Sequence, residues 1–501
     1  MTRTVVVGAG ASGAVLAARL SEDPAASVVL VEAGPDPRPF PAELLDGTTI
    51  QGARPGHPAS AGFPAELAPG HPFTLVRGRI VGGSSAINGG VFIRARPADF
   101  DGWASVGGEA WSYARMLPIL RALEDDRDYG ATEWHGGSGP IPVRRPRTDA
   151  GAVGAFVAAA RAAGFADDPD KNAPGAPGVG PVPSNVIDGI RVNAAHAYLD
   201  PVRDRPNLRI LAGTRVRRVL IESGRAVGLD TDRGIVEADE VVLCAGALGT
   251  AHLLLHSGIG PRGDLEGLGL PVVADLPVGE GFSDHPQIAV GWRPAAPLDP
   301  VESTAFPVAL HARAGGEHPD GDLELLFAAR TIGELLAGRA NASAIPRGSE
   351  VQLLVGLQTP ASRGRLSLRS ADPLVPSRIE FRYLASAEDL ERLRVGVRMA
   401  AALLSSSAFA GIADRLTELG DAVLDDDARL DAWLRAHLGT ALHTCGTARM
   451  GDVVDGSGRV HGIRGLRVAD LSMLPVVPSR GPAATAVAIG ELAAGLIRDG
   501  A

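Results

Sequence analysis

His443 stands in Ala441-Leu-His-Thr-Cys-Gly-Thr-Ala-Arg-Met-Gly451, a short run rich in Gly and Thr. A neutral imidazole can take a proton from a hydroxyl, since its unperturbed pKa of about 6.5 lies near neutrality. The competing reading is a solvated or structurally bonded turn histidine. What gives the first reading weight lies at the other end of the chain. There Thr4-Val-Val-Val-Gly-Ala-Gly-Ala-Ser-Gly13 sets glycines 8, 10 and 13 between an apolar run and a helix-forming stretch, Ala14 to Leu20. Gly8 suits a tight turn, Gly10 lets backbone approach a pyrophosphate, and Gly13 lets helix pack on strand. The helix N-terminus would offer free N–H groups to phosphate. The next apolar run, Val28 to Val31, ends in Glu32, where a carboxylate can meet ribose hydroxyls. The pattern predicts a dinucleotide site and leaves NAD or FAD open. A nucleotide cradle and a candidate base on one chain point to a redox enzyme.

A third stretch, Arg77-Gly-Arg-Ile-Val-Gly-Gly-Ser-Ser-Ala-Ile-Asn-Gly89, groups small residues. Gly82, Gly83 and Ser84 can turn several backbone N–H groups onto one concave surface; an ordinary Gly-rich turn is the alternative. Lys171 is the only lysine and lies in the Pro/Gly/Asp-rich loop 167–183, which predicts a solvated residue rather than a Schiff base. Cys244 ends an apolar strand and reads as core. Cys445 is two residues from His443, and neighbours on a turn rarely face one another. Two cysteines are too few for a disulfide framework or a zinc ribbon, so no metal is expected.

The elements that must position these groups follow from length and texture. The chain has 501 residues, 45% of them hydrophobic, enough for more than one domain. A net charge of −10 without a basic block argues against nucleic acid. No charged-then-apolar leader precedes the first strand, and no window is apolar enough to span a bilayer. A cytoplasmic protein is expected, with docking on the inner face of the membrane as the alternative. The segment 35–72 reads as a long Pro/Gly-rich connection of the lid type. Helices are expected over 112–123 and 153–163, and strands over 208–211, 225–230 and 240–244. Beyond 276 the texture changes to short strands at 289–293, 308–312, 323–327 and 351–358, an antiparallel sheet with one exposed or active-site face. Helix 387–404, with Ser386 as N-cap, closes that region. The fold class is α/β (α+β overall): a Rossmann-like nucleotide domain, 1–275 and 431–501, interrupted by a sheet domain, 276–430.

Taken together, the motifs resemble the GMC oxidoreductase family, flavoproteins that include glucose oxidase, choline oxidase and cellobiose dehydrogenase. The matches run in family order: Gly8–Gly13 with Glu32, Arg77–Gly89, Ala245-Gly-Ala-Leu-Gly-Thr with Ser257-Gly-Ile-Gly-Pro261, Val278-Gly-Glu-Gly-Phe-Ser-Asp-His285, and His443–Gly451 with Val468-Ala-Asp470. The resemblance implies FAD. It implies Gly8, Gly10, Ser12 and Gly13 at the pyrophosphate, Glu32 at the ribose and Val216 near the adenine. Gly83, Asn88 and Gly89 would lie by the flavin, with Asp470 near its ribityl end. His443 would be the base that takes the donor's hydroxyl proton while flavin N5 takes the hydride.

The chain departs from the family in three places. Gly481, just before Pro482 at the head of the last helix, stands where a second catalytic His or Asn is usual. Arg480 is the candidate replacement, through an alkoxide or an anionic substrate. Ile87 replaces a flavin-linking His, which implies non-covalent FAD. Gly281 replaces a frequent Asn. The segments 91–101 and 478–487 are similar to mycofactocin-associated members from actinobacteria. Those members are thought to reoxidise a reduced redox peptide and pass electrons towards respiration. The donor is therefore expected to be a small molecule or that peptide, and the acceptor something other than oxygen. The alternatives are an oxygen-using alcohol oxidase, a flavin-containing lyase and a non-catalytic electron-transfer flavoprotein.

Overall fold

The computed structural model describes residues 2–130, 132–298, 304–315, 318–338 and 349–500. Its first layer is a parallel sheet in the order Leu208–Leu211, Ser27–Val31, Arg3–Val7, Glu240–Leu243, Leu466–Val468. Val5, Val6, Val241 and Val242 are wholly buried, as expected of parallel strands covered on both faces. Helix Ala11–Leu20 lies against helix Ala483–Arg498, so the two ends of the sequence build one layer. Ser12 Oγ donates to Ala486 O at 2.7 Å across that contact.

The second layer is a seven-stranded antiparallel sheet. Its main path is Ala413–Leu416, Pro286–Pro294, Val351–Leu357, Leu323–Phe327, Val308–Ala312, Val179–Pro181, and Leu438–Thr440 pairs with Pro286–Pro294. One face carries Ile288, Val290, Leu325, Val355 and Leu310, all fully buried. Helix Ala387–Leu404 packs on this sheet. Gly396 permits the close approach, since a Cβ there would stand 2.7 Å from Val355 Cγ1. Ser386 is the N-cap residue but makes no side-chain cap bond. Asp389 in the first turn is buried and accepts from Ala361 N, Ser362 N and Ser362 Oγ, so it ties down a loop.

Three sequence expectations change. The 35–72 segment is not one long connection: Ser60–Ala68 pairs with His71–Gly78 as a hairpin, joined to Arg378–Glu380 in a second sheet. Pro64 and Pro72 masked it, because proline usually demotes a strand. Here Arg378–Glu380 meets the hairpin at Glu66 alone, and His71–Gly78 is an edge strand, so neither proline breaks a ladder. The layers also interleave: Val179–Pro181 and Leu438–Thr440, outside 276–430, both join the seven-stranded sheet. Lys171 is not solvated. It is 1% exposed and donates to Asp168 Oδ2, Gly178 O and His311 Nδ1. Among the described residues no helix is long and apolar enough to cross a membrane.

The tightest contact in the first layer is at Gly13, where a Cβ would stand 1.9 Å from Gly8 O. Backbone meets backbone there, so a rotamer change cannot relieve it. Gly13→Ala is expected to destabilise the protein by about 1–3 kcal/mol, read as a lower denaturant midpoint. An unchanged midpoint would show that this turn is not under packing constraint.

Candidate active site

The cofactor cradle begins at the turn after Arg3–Val7. Gly8 has φ +100° and donates to Val31 O at 2.7 Å. A Cβ at Gly8 would meet Cys244 O at 2.5 Å, whereas one at Gly10 would meet nothing within 4 Å. Gly10 caps helix Ala11–Leu20 without a side-chain acceptor, so the first-turn N–H groups keep their capacity for an anion. A second turn abuts this one: Gly82 N donates to Ala9 O, and both Gly82 (φ +103°) and Gly83 (φ +54°) are left-handed. Ser84 Oγ accepts from Gly78 N, and Asn88 Oδ1 from Gly90 N. Gly89 lies against Phe306, whose ring a Cβ would meet at 2.6 Å. Glu32 is buried and accepts from Ala9 N and Gly34 N. Burial pushes its pKa up, against those bonds.

Val216 opens strand Val216–Glu222 and is half-buried. Asp470 accepts from Gly246 N, Thr250 Oγ1 and Ser472 N, tying the head of helix Gly246–His256 to the last parallel strand. Ile87 is 3% exposed and packs in an apolar cluster with Leu44 and Ala86. An open glycine before a helix N-terminus, a neighbouring glycine turn and a buried carboxylate after the second strand fit the phosphates and ribose of FAD.

His443 is held by groups that sequence reasoning did not single out. Asp284 Oδ1 accepts from His443 N, His285 N and Thr440 Oγ1, and Oδ2 accepts from Thr444 Oγ1. Leu442 has φ +66°, a left-handed conformation costly for a leucine and stored beside the site. The His443 ring meets His285 edge-on, Nδ1 to Nδ1 at 2.9 Å with the planes 89° apart. His285 Nε2 lies 2.9 Å from Pro478 O. A carbonyl only accepts, so His285 Nε2 carries the proton and its Nδ1 is the acceptor. His443 Nδ1 must then donate, which leaves the lone pair on His443 Nε2. Burial lowers the pKa of both rings; His285 falls to about 3, and Arg77 adds to the depression at His443. Cys445 is no nucleophile: its Sγ donates to His443 O, and burial pushes the thiol far up.

Gly481 faces the His443 ring. A Cβ there would stand 3.5 Å from Ile93 Cγ2 and 3.8 Å from His443 Nε2, both ordinary contacts, so position 481 borders the lone-pair edge of the ring without filling it. Arg480 makes its hydrogen bonds away from His443: it is 2% exposed, donates to Ser479 O and Asp320 O, and acts on His285 and Glu324 through its charge. Pro482 is the N-cap of the last helix, and Ser479 is pinned to Asp99. A buried Glu124, Asp126 and His135 group has the spacing of metal ligands. Arg94 and Arg145 already hold its carboxylates, and His135 is pushed up to about 10 by burial-opposed bonds to Asp126, Asp170 and Glu124. With Arg94, Arg145 and Asp170 the three side chains form one buried network of ion pairs.

Family models described as GMC oxidoreductase match residues 2–287 and 360–490. An uncharacterised GMC-type oxidoreductase of Rhodococcus erythropolis is 40% identical, over 98% of this chain and 97% of its own length. An oxygen-dependent choline dehydrogenase of Brucella melitensis is 32% identical, over 98% and 95%. Pyridoxine 4-oxidase from Mesorbium loti superposes with TM-score 0.90 at 29% identity, covering 100% of this chain and 99% of that one. A formate oxidase of Aspergillus oryzae shares the fold alone, with TM-score 0.89 at 24% identity and coverage of 100% and 98%. The cradle, the ordered motifs and these likenesses agree: the chain belongs to the GMC oxidoreductase family and is an FAD-dependent oxidoreductase acting on CH–OH donors.

Proposed function

We propose that His443 is the catalytic base, taking the donor's hydroxyl proton on Nε2. The observation that carries this reading is the ordered chain His443 Nδ1–H, His285 Nδ1, His285 Nε2–H, Pro478 O. It fixes the one bare nitrogen on the side where Gly481 leaves room for a carbinol. Bound FAD, held without a covalent link since Ile87 offers no attachment point, supplies the hydride acceptor. Asp284 holds the His443 loop in register, and His285 stabilises the imidazolium that forms by accepting from its Nδ1–H. With no side chain at 481, no second protein group shares the donor hydroxyl there. Gly8, Gly10, Ser12 and Gly13 bind the pyrophosphate in this reading, Glu32 the ribose, and Val216 borders the adenine. Gly82, Gly83, Ser84, Asn88, Gly89 and Pro482 border the flavin, with Asp470 by its ribityl end.

Electrons leave to an acceptor other than oxygen, and the donor is a small alcohol or reduced mycofactocin. The 91–101 and 478–487 segments support that branch, as does the 40% identical relative from an actinobacterium. Reducing the flavin anaerobically with the donor, then admitting oxygen, separates the readings. Slow reoxidation with little peroxide is expected. Stoichiometric peroxide within a turnover would assign an oxidase instead.

His443→Ala is expected to lower kcat by about 10²–10⁴-fold with flavin content retained; wild-type turnover would remove His443 from the chemistry. Because the His443 pKa is depressed, kcat/KM should stay flat from pH 8 down through pH 6. A fall centred near an ordinary imidazole pKa of about 6.5 would contradict the assigned environment. Stability should follow the opposite sign from an ion-paired histidine. His285 stays neutral when folded but protonates near 6.5 when unfolded, so acid favours unfolding between pH 6.5 and about 3. From pH 6.5 to 5 that loss is about 2 kcal/mol, and His285→Asn should remove that share in denaturant titrations, while the likewise depressed His443 keeps its own.

A further inference from the structure

The antiparallel sheet presents a second face, opposite its packed core. Its register places Gln287 beside Gly356, Gly356 beside Glu324, and Glu324 beside His311. One step further in are His285 and Gln358; one step out are Ala289, Leu354 and Leu326. Exposure is graded along this face. His285 and Gln358 are fully buried, Gln287 is half-buried and Ala289 is exposed, while Leu354 and Leu326 are half-buried. Exposure thus falls along strand Pro286–Pro294 from Ala289 through Gln287 to His285, while Gly356, Glu324 and His311 beside it are buried.

The polar groups on this face are not equivalent. Lys171 Nζ donates to His311 Nδ1, so His311 Nε2–H donates to Glu324 Oε2 at 3.0 Å. That carboxylate is satisfied, and Arg480 and Lys171 act on it as positive neighbours. Gln358 differs: neither its Oε1 nor its Nε2 has a partner among the described residues, although both are buried. Its amide lies over Gly356, where a Cβ would stand 2.9 Å from Nε2. A carboxamide can give and accept at once, so it matches a group with the same double character. The site also offers little to a cation. Glu324 is already engaged, Arg77 flanks His443, and Arg480 flanks His285.

On the reading that His443 oxidises an alcohol, we propose that this row selects the donor. The donor is uncharged and carries, within a few atoms of its carbinol, a second hydroxyl or amide that pairs with the Gln358 carboxamide. Gln358 is thus a specificity-determining residue, and Glu324 with His311 and Lys171 holds the wall on which it lies.

The test uses the flavin-loaded enzyme and anaerobic bleaching by 1-propanol, by 1,2-, 1,3- and 1,4-diols, and by choline. At least one diol should exceed 1-propanol in kcat/KM by about tenfold or more, and choline should not exceed 1-propanol. Gln358→Met should lower kcat/KM for that diol about tenfold more than for 1-propanol. Should that variant lose its flavin, Gln358→Leu takes its place, and loss of the diol preference is again expected. Equal rates for diols and 1-propanol in the wild type, an equal loss for both in the variant, or a preference for choline would each overturn the proposal. If no alcohol bleaches the flavin, the base assignment itself falls.

Discussion

The site depends on one hydrogen bond that a carbonyl oxygen makes to the far side of a histidine. Pro478 O can only accept, so His285 must carry its proton on Nε2. Everything downstream is forced by that assignment, from the direction of the His285–His443 contact to the bare nitrogen on His443. The bond joins the start of strand Pro286–Pro294 to the segment that opens the last helix. Tautomer control is therefore shared between the two layers of the fold, and neither layer alone has a defined base.

Asp284 supplies the positional half of the same design. One buried carboxylate takes four protein donors from 285, 440, 443 and 444. That is why a leucine tolerates a left-handed backbone at 442. Burial raises the carboxyl's pKa, and the bond from Thr444, the Arg77 charge and the N–H groups of His443 and His285 oppose the shift. The strain and the desolvated charge sit within two residues of the reacting nitrogen, as expected where local stability is exchanged for geometry.

Much of this was legible in the residue order. Glycines at 8, 10 and 13 are demanded by close backbone approach, so the cradle could be read directly. The strands from 289 to 358 followed from short apolar runs, several of them alternating, and helix Ala387–Leu404 from Ser386 before it and Glu388 and Asp389 in its first turn. What escaped notice had no local signature. Asp284 and His285 lie in a motif whose family resemblance was visible, yet their roles arise from contacts more than 150 positions away. Lys171 looked solvated because its loop is polar, while its burial depends on His311 and Asp168 arriving from the sheet and loop. The Ser60–Gly78 hairpin was hidden by Pro64 and Pro72, which pair within the hairpin but face no further strand that would need their missing N–H.

The order of assembly along the chain has a consequence for how the enzyme is made. The parallel layer lacks its last strand until Leu466–Val468 exists, and helix Ala11–Leu20 lacks its packing partner until Ala483–Arg498 exists. A ribosome therefore finishes nearly all of the seven-stranded sheet while the nucleotide layer is still open along one side. The nucleotide cradle is therefore packed on all sides only once the two ends of the sequence have met.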